Sequence, residues 1–419
     1  MWLPKVVVAA TCAIAALGST RSRGESIRRA APRPIGIAHV TIIDVEHGTR
    51  LRDQTIIVEG NRIATVGLSS QVRIPDGYGV VEGRGKFVIP GLFDTYVPLV
   101  RDPASAAPTD SIARVLASFV PFGVTSIREA SARDVDLATI GWRNVLDDGG
   151  MPLPRMSFAE TQERFSLGLP GGTDARELVQ RLLTDPINGV MGVGALRPLG
   201  SNHRNDSPPA DTTSRAAMRL YRTAEWLYED TALTDSLIRV MVQRRVWLQP
   251  VLVKEELTLT SVEQLRRHPG ARFTRRPADR WRDGYASPQG ADLERARQSI
   301  DAMKRFVRRF HSAGGVVIAG TGGVPFNGAG IHDEPRLLVE AGLTPIEALR
   351  AATFDAARAL RVRDAVGKVA VGKLADLLVL DADPADDIRN TTRIAAVMLD
   401  GRFIDGEERQ KLFARLAAP

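Results

Sequence analysis

The strongest constraint in the chain is a change of texture at Pro90-Gly91. Short β-branched runs broken by turns give way there to apolar runs alternating with helical periods. Ahead of it, Ile37, Val40, Ile42 and Val45 lead into a turn at His47-Gly48. Thr55-Ile56-Ile57-Val58 follows, then a turn at Glu59-Gly60-Asn61-Arg62 and the run Ile63-Ala64-Thr65-Val66. Such runs, separated by Gly and Asn turns, predict antiparallel hairpins. Beyond the boundary, Gly123 to Ile127, Val246 to Val253 and Gly315 to Ala319 have strand texture. Ser111 to Phe119, Thr173 to Leu183, Thr234 to Arg244 and Asp292 to His311 have the period of amphipathic helices. Alternation of this kind over about 260 residues predicts an α/β chain built as a (β/α)8 TIM-like barrel, with a doubly wound open sheet as the other architecture.

Thr344-Pro345 opens a further helix, threonine serving as N-cap and proline fitting its first turn. Val366 to Val371, Leu374 to Leu380, Ile394 to Leu399 and Arg402 to Ile404 then return to strand texture. The expected organisation is a signal segment over 1–18, a barrel over 90–362, and a small β-sandwich whose halves, 30–89 and 363–410, come from both chain ends.

A chain of 419 residues with 44% hydrophobic and 25% charged content can bury a large core, which excludes disordered and fibrous classes. The net charge of +7 is spread among interspersed carboxylates, the pattern of solvated helix faces, so no nucleic-acid partner is expected. The densest basic stretch, Arg266, Arg267, Arg272, Arg275, Arg276, Arg280 and Arg282 beside Phe273, Trp281 and Tyr285, leaves an anionic ligand open there. Lys5, the apolar run Val6 to Leu17, and small residues at Ala16 and Gly18 predict an export signal, hence a periplasmic or secreted bacterial protein. The run is shorter than the ~20 residues that span a bilayer. An uncleaved anchor, which would be the protein's one membrane contact, and a lipoprotein at Cys12 remain alternatives. Cys12 is the single cysteine, which excludes a disulfide framework, a thiolate metal site and a cysteine nucleophile in the folded domain.

Gly85-Lys86-Phe87-Val88-Ile89-Pro90-Gly91-Leu92-Phe93-Asp94 resembles the entry to the first barrel strand of metal-dependent amidohydrolases, in particular the imidazolonepropionase-like and Xaa-Pro dipeptidase-like branch. Phe122 to Glu129 resembles the second strand, and Val246 to Leu252 the strand after the sixth unit. The closest matches are Leu338 to Pro345 and Gly372 to Leu380. The resemblance implies hydrolysis of carbon-nitrogen bonds in cyclic amides or dipeptides. One or two divalent metals at the barrel mouth would lower the pKa of bound water while a carboxylate moves the proton.

The chain departs from that pattern where the ligands should stand. The His-x-His pair that closes strand one is replaced by Tyr96-Val97-Pro98, and the strand-eight aspartate after Gly320-Thr321 by Gly322. Asn188 to Ala195 carries no lysine at strand four. His203 is the one histidine between Leu196 and Asp230, a stretch too short for a full strand-helix-strand unit, so the barrel is expected to be incomplete around strand five. Ala224 to Tyr228 fits strand six, with Glu229 or Asp230 near the corresponding ligand position. His39, His47, His268 and His311 are scattered outside the mouth, while His332 follows strand eight.

No metal is therefore expected, and a divalent ion such as zinc only if an alternative site exists. Asp94, Glu129 and His332 are the candidate catalytic residues. Tyr96, Pro98, Arg128, Gln249, Lys254, Thr321 and Gly322 are the candidate pocket. The favoured reading is a non-catalytic exported protein that binds a small molecule or a protein partner, self-association being open. The alternative is an active carbon-nitrogen hydrolase with a rearranged or metal-free site, and a binding module of a larger exported assembly is a third.

Overall fold

The computed structural model describes residues 32–99, 109–130, 151–158, 167–168, 173–185, 187–198, 215–273, 288–324, 326 and 328–417. The expected signal segment and its cleavage site lie outside these residues, as do His203 and the Arg275 to Tyr285 part of the basic stretch.

The first hairpins form where the turns were expected. Strands β1 (Ile35–Asp44) and β2 (Thr49–Glu59) pair antiparallel around a turn fixed by Asp44, whose Oδ1 accepts the amides of Glu46 and His47 at 3.0 and 3.2 Å. β2 returns into β3 (Arg62–Leu68) through Gly60-Asn61, with Gly60 at φ 57, a left-handed position glycine takes without strain. β4 (Gly79–Glu82) and β5 (Phe87–Pro90) both lie parallel to β1.

The chain then enters the barrel. Its parallel strands are β6 (Leu92–Val97), β7 (Val124–Glu129), β8 (Arg155–Phe158), β9 (Leu167–Gly168), β11 (Gly189–Met191) and β13 (Trp247–Gln249). A two-residue pair, β10 (Thr173–Asp174) with β12 (Leu196–Arg197), stands apart. Residues 316–319 add one more stave: Val317 bridges Leu248, and Thr95 donates its amide to the Ala319 carbonyl at 3.3 Å. The hydrogen-bonded arc therefore runs β8, β7, β6, residues 316–319, β13, β11, β9, seven staves among the described residues. The expected helices are present as α1 (Thr109–Ala117), α2 (Ala175–Thr184), α4 (Thr231–Gln243) and α7 (Gly290–Ser312), joined by α3 (Arg215–Thr223), α5 (Leu252–Glu256) and α6 (Val262–Arg267).

Two expectations are corrected. Ala224 to Tyr228 is a 3-10 helix, not strand six, and β11 pairs directly with β13 from Gly189–Trp247 to Met191–Gln249. The sequence Ala-Glu-Trp-Leu-Tyr has no period-two alternation. Its Trp226 is 1% exposed and meets Phe306 of α7 edge to face at 5.5 Å, so the segment buries its aromatic ring as a helical turn. Val366 to Val371 is irregular, bending at Gly367 with φ 92, and the strand there begins only at Leu377.

After α8 (Asp333–Glu340), α9 (Pro345–Ala351) and α10 (Phe354–Ala359), the chain returns to the first sheet. Thr344 caps α9 in a reciprocal box with Glu347, as the Thr-Pro signal implied. β14 (Leu377–Leu380) pairs with β5, β15 (Ile394–Leu399) with β14, and β16 (Arg402–Ile404) with β15. Both chain ends thus share one eight-stranded sheet in the order β16-β15-β14-β5-β1-β2-β3, with β4 on β1. The sheet bends back on itself, since Ile63 at the β3 end donates to the Lys373 carbonyl at 2.9 Å and accepts from Gly372 at 2.8 Å. Ile37, Val40, Ile56 and Val58 accordingly share a core with Leu377, Val379, Ala396 and Met398.

Arg155 of β8 staples the barrel to this sheet: its Nε meets Asp376 at 2.5 Å and its Nη2 meets Asp400 at 2.6 Å. A final helix absent from the sequence expectations, α11 (Gly406–Ala417), packs on the barrel through Phe413, whose ring lies 5.1 Å from Phe122 and 5.2 Å from Phe273.

Candidate functional site at the barrel mouth

Because the staves are parallel, their C-terminal ends share one side of the barrel, and most of the candidate residues stand there. β6 ends in Asp94-Thr95-Tyr96, β7 in Arg128-Glu129, β11 in Met191 and β13 in Gln249, while Thr321 and Gly322 follow residues 316–319. The structure brings Asp94, Thr321, Arg128 and Gln249 into one network. It adds Thr95 and Met191, which were not among the candidates.

Asp94 is 1% exposed and its carboxylate is fully engaged. Oδ1 accepts the amides of Thr321 and Tyr96 at 2.9 and 3.1 Å, and Oδ2 accepts the Thr321 hydroxyl at 2.6 Å. Burial raises its pKa to about 6 against the pull of those donors. Next to it, Thr95 donates its hydroxyl to the Ala319 carbonyl at 2.6 Å and accepts from the Gln249 amide nitrogen. The Gln249 Oε1 on the other side of that amide is buried with no hydrogen-bond donor. Arg128, 2% exposed, donates Nε to the Thr95 carbonyl at 2.7 Å and Nη2 to the Met191 sulfur at 2.8 Å. Burial lowers it to about 10, and the charges of Tyr96, Glu129 and Asp94 oppose that shift, so the guanidinium is charged at neutral pH.

Glu129 is also buried and accepts the Leu99 amide at 3.1 Å. Tyr96 and Lys254 are half-buried and flank Gly322: a Cβ on that glycine would lie 3.5 Å from Tyr96 Cδ1 and 3.4 Å from Lys254 Cδ. Pro98 is half-buried just beyond β6.

His332 does not join the site. Its Nε2 lies 2.9 Å from the Phe122 carbonyl, two residues ahead of β7 and so at the opposite end of that strand from Glu129. A carbonyl can only accept, so Nε2 carries the proton, and Nδ1 lies 3.0 Å from the Thr391 hydroxyl. Burial lowers this imidazole to about 4, leaving it neutral. Glu229 and Asp230, expected near a ligand position, are committed to α4. Asp230 caps its first turn through Leu233, and Glu229 accepts the Thr234 hydroxyl at 2.7 Å and pairs with Arg309.

Glu334 is wholly buried on α8 and accepts the amides of Leu252 and Val253 at 3.1 and 2.8 Å. Burial raises it to about 8, and the charge of Asp94 adds to the shift. A signal for it was present in the sequence. Glu334, Leu337 and Leu338 fall at i, i+3 and i+4 on one helix face, which sets a carboxylate in line with an apolar stripe.

A sequence model of the amidohydrolase family matches residues 222–404. The adenine deaminase of Desulforamulus reducens is 22% identical over 386 residues, 87% of this chain, which spans 58% of that relative's length. Among solved structures, a Xaa-Pro dipeptidase with bound methionine in its active site matches at TM-score 0.57 and 17% identity, over 89% of this chain and all of that one. Molinate hydrolase matches at TM-score 0.58 and 18% identity, over 93% of this chain and 97% of the other. These likenesses agree with the motifs from Gly85 to Leu380. The chain is thus similar to the amidohydrolase family over residues 222–404, and it shares the α/β fold of a Xaa-Pro dipeptidase.

Proposed function

We propose that this chain is an exported amidohydrolase-family protein whose barrel mouth binds a small molecule or a protein segment without running the metal-assisted hydrolysis of the family. The observation that carries this reading is at Gly322, where the family pattern has its metal-binding aspartate. Gly322 has φ 65, and a Cβ there would stand 2.6 Å from Val251 Cγ1, so the space for that carboxylate belongs to another side chain.

The remaining donors do not fit a divalent ion. Tyr96 and Pro98 stand at the His-x-His positions. Asp94 already accepts three hydrogen bonds from Thr321 and Tyr96, and the charged Arg128 sits beside it. Among the described residues no group of three or more His, Cys, Asp or Glu side chains gathers around a common point. Zinc requires deprotonated nitrogen, sulfur or oxygen donors converging on one centre, and a neighbouring guanidinium opposes a cation.

One observation favours the alternative, an active hydrolase of carbon-nitrogen bonds without metal. Asp94 is held near pH 6, within the range of a general base. Elemental analysis of the purified protein, followed by a screen of cyclic amides and dipeptides with and without added zinc or manganese, decides between them. The proposal expects less than a tenth of an equivalent of metal and no turnover. One equivalent of metal with turnover overturns it, and turnover without metal that Asp94→Asn abolishes establishes the alternative. Export rests on Lys5 and the apolar run behind it, and fractionation of cells expressing the full chain tests it.

A further inference from the structure

The segment that leaves β13 is held in an unfavourable shape. Val251 has φ 59 and ψ 40, a left-handed conformation that is rare for a β-branched residue and persists only where the surroundings impose it. Two side chains of α8 impose it here. Glu334 takes the amides of Leu252 and Val253, at the start of α5. Arg336, two residues further along, grips both carboxylate oxygens of Glu256 at the end of α5 and also reaches Glu340 at 2.5 Å. Residues 251–256 are thus pinned at both ends to one helix.

What this segment covers is the mouth. Val251 Cγ1 fills the space above Gly322, and the Lys254 stem lies beside it next to Tyr96. Asp94, Arg128 and Gln249 are at most 2% exposed, and the Gln249 Oε1 waits without a donor. Thr321 and Met191, at 5 and 7%, are the most exposed members of that network.

We propose that residues 251–256 are a strap closing the barrel mouth, latched by Glu334, and that lifting it is what admits a ligand to Asp94, Arg128 and Gln249. The admission of a ligand rests on the binding reading given above. The latch is a property of the free protein and is tested without any ligand.

Two measurements on the full chain test it. The first is hydrogen exchange. Glu334→Gln replaces one of the two accepting oxygens with an amide nitrogen that can only donate, so the Leu252 and Val253 amides should exchange roughly 10- to 100-fold faster, with the amides of β1 to β3 unchanged. The second is thiol labelling. In a Cys12→Ser background, Thr321→Cys places the one thiol under the strap, and iodoacetamide should label it faster by the same factor once Glu334→Gln is added. Unchanged exchange and labelling overturn the proposal. So does an equal rise in β1 to β3, because Glu334 would then support the whole fold and no strap.

A mutant cycle checks the seat on its own. Gly322→Ala should lower stability with Val251 present and cost less beside Val251→Gly, which removes both the left-handed strain and the obstructing methyl. Additive effects would place Val251 elsewhere.

Discussion

Replacing Asp94 by Asn should stabilise the protein at alkaline pH and leave it nearly unchanged in acid. The carboxyl's pKa is about 6 in the fold against 3.8 as its ordinary value, and burial is the leading cause. Between those values the folded chain holds a proton that the unfolded chain releases, so stability falls as pH rises from 3.8 to 6 and stays lowered above. At ~1.4 kcal/mol per unit, ionised Asp94 costs the fold about 3 kcal/mol at pH 8. Asn has the same shape and keeps the geometry. Its oxygen can accept the amides of Thr321 and Tyr96, and its NH2 can donate to the Thr321 hydroxyl, which then turns to accept. The variant should therefore gain up to about 3 kcal/mol at pH 8 and about 0.5 kcal/mol at pH 4. Urea unfolding of both proteins at pH 4, 6 and 8 measures the difference. A variant less stable than the parent at pH 8, or a difference that does not change with pH, would refute this account of the mouth.

His332 runs with the opposite sign. Its pKa is depressed to about 4 by burial, so its contribution is present above the ordinary 6.5 and lost as pH falls toward 4, a decline of about 3 kcal/mol that His332→Gln should flatten in the same unfolding series. Phe413→Ala removes the ring that α11 lays against Phe122 and Phe273, and should cost about 3 kcal/mol by denaturant midpoint. A loss below about 1 kcal/mol would mean that α11 is held by Arg409 and its bonds to the Pro121 and Ile394 carbonyls instead. Added zinc should leave the thermal midpoint of the parent protein unmoved, since a ligand stabilises only the state that binds it. A rise of several degrees would reveal donors outside the described residues.

The hairpins, the amphipathic helices and the family resemblance were legible because each is written in local periodicity. Glycine turns at Gly48 and Gly60, the Thr344-Pro345 cap and the alternating apolar faces need only neighbours in the chain. The assignment of Tyr96, Pro98 and Gly322 to ligand positions rests on the same kind of local string. The 3-10 turn at Ala224 to Tyr228 was not legible, because the preference of Trp226 is decided by Phe306, eighty residues away, and short apolar runs carry no clear period of their own. His332 was misplaced for a related reason. Following strand eight in sequence says nothing of where the next segment leads, and the Phe122 carbonyl and Thr391 hydroxyl that claim it are distant in the chain.

By itself, then, the sequence pointed to most of the elements, to a resemblance to amidohydrolases, and to Tyr96, Pro98 and Gly322 as departures from that pattern. Tertiary structure alone decided what took their place. Val251 turns left-handed, Glu334 is buried to hold the amides behind it, and Gly322 yields its space to a valine methyl. Each depends on groups 71 to 82 residues apart in the chain. A backbone conformation that local sterics disfavour cannot be inferred from local sequence, because only the surrounding packing makes it the lowest in free energy.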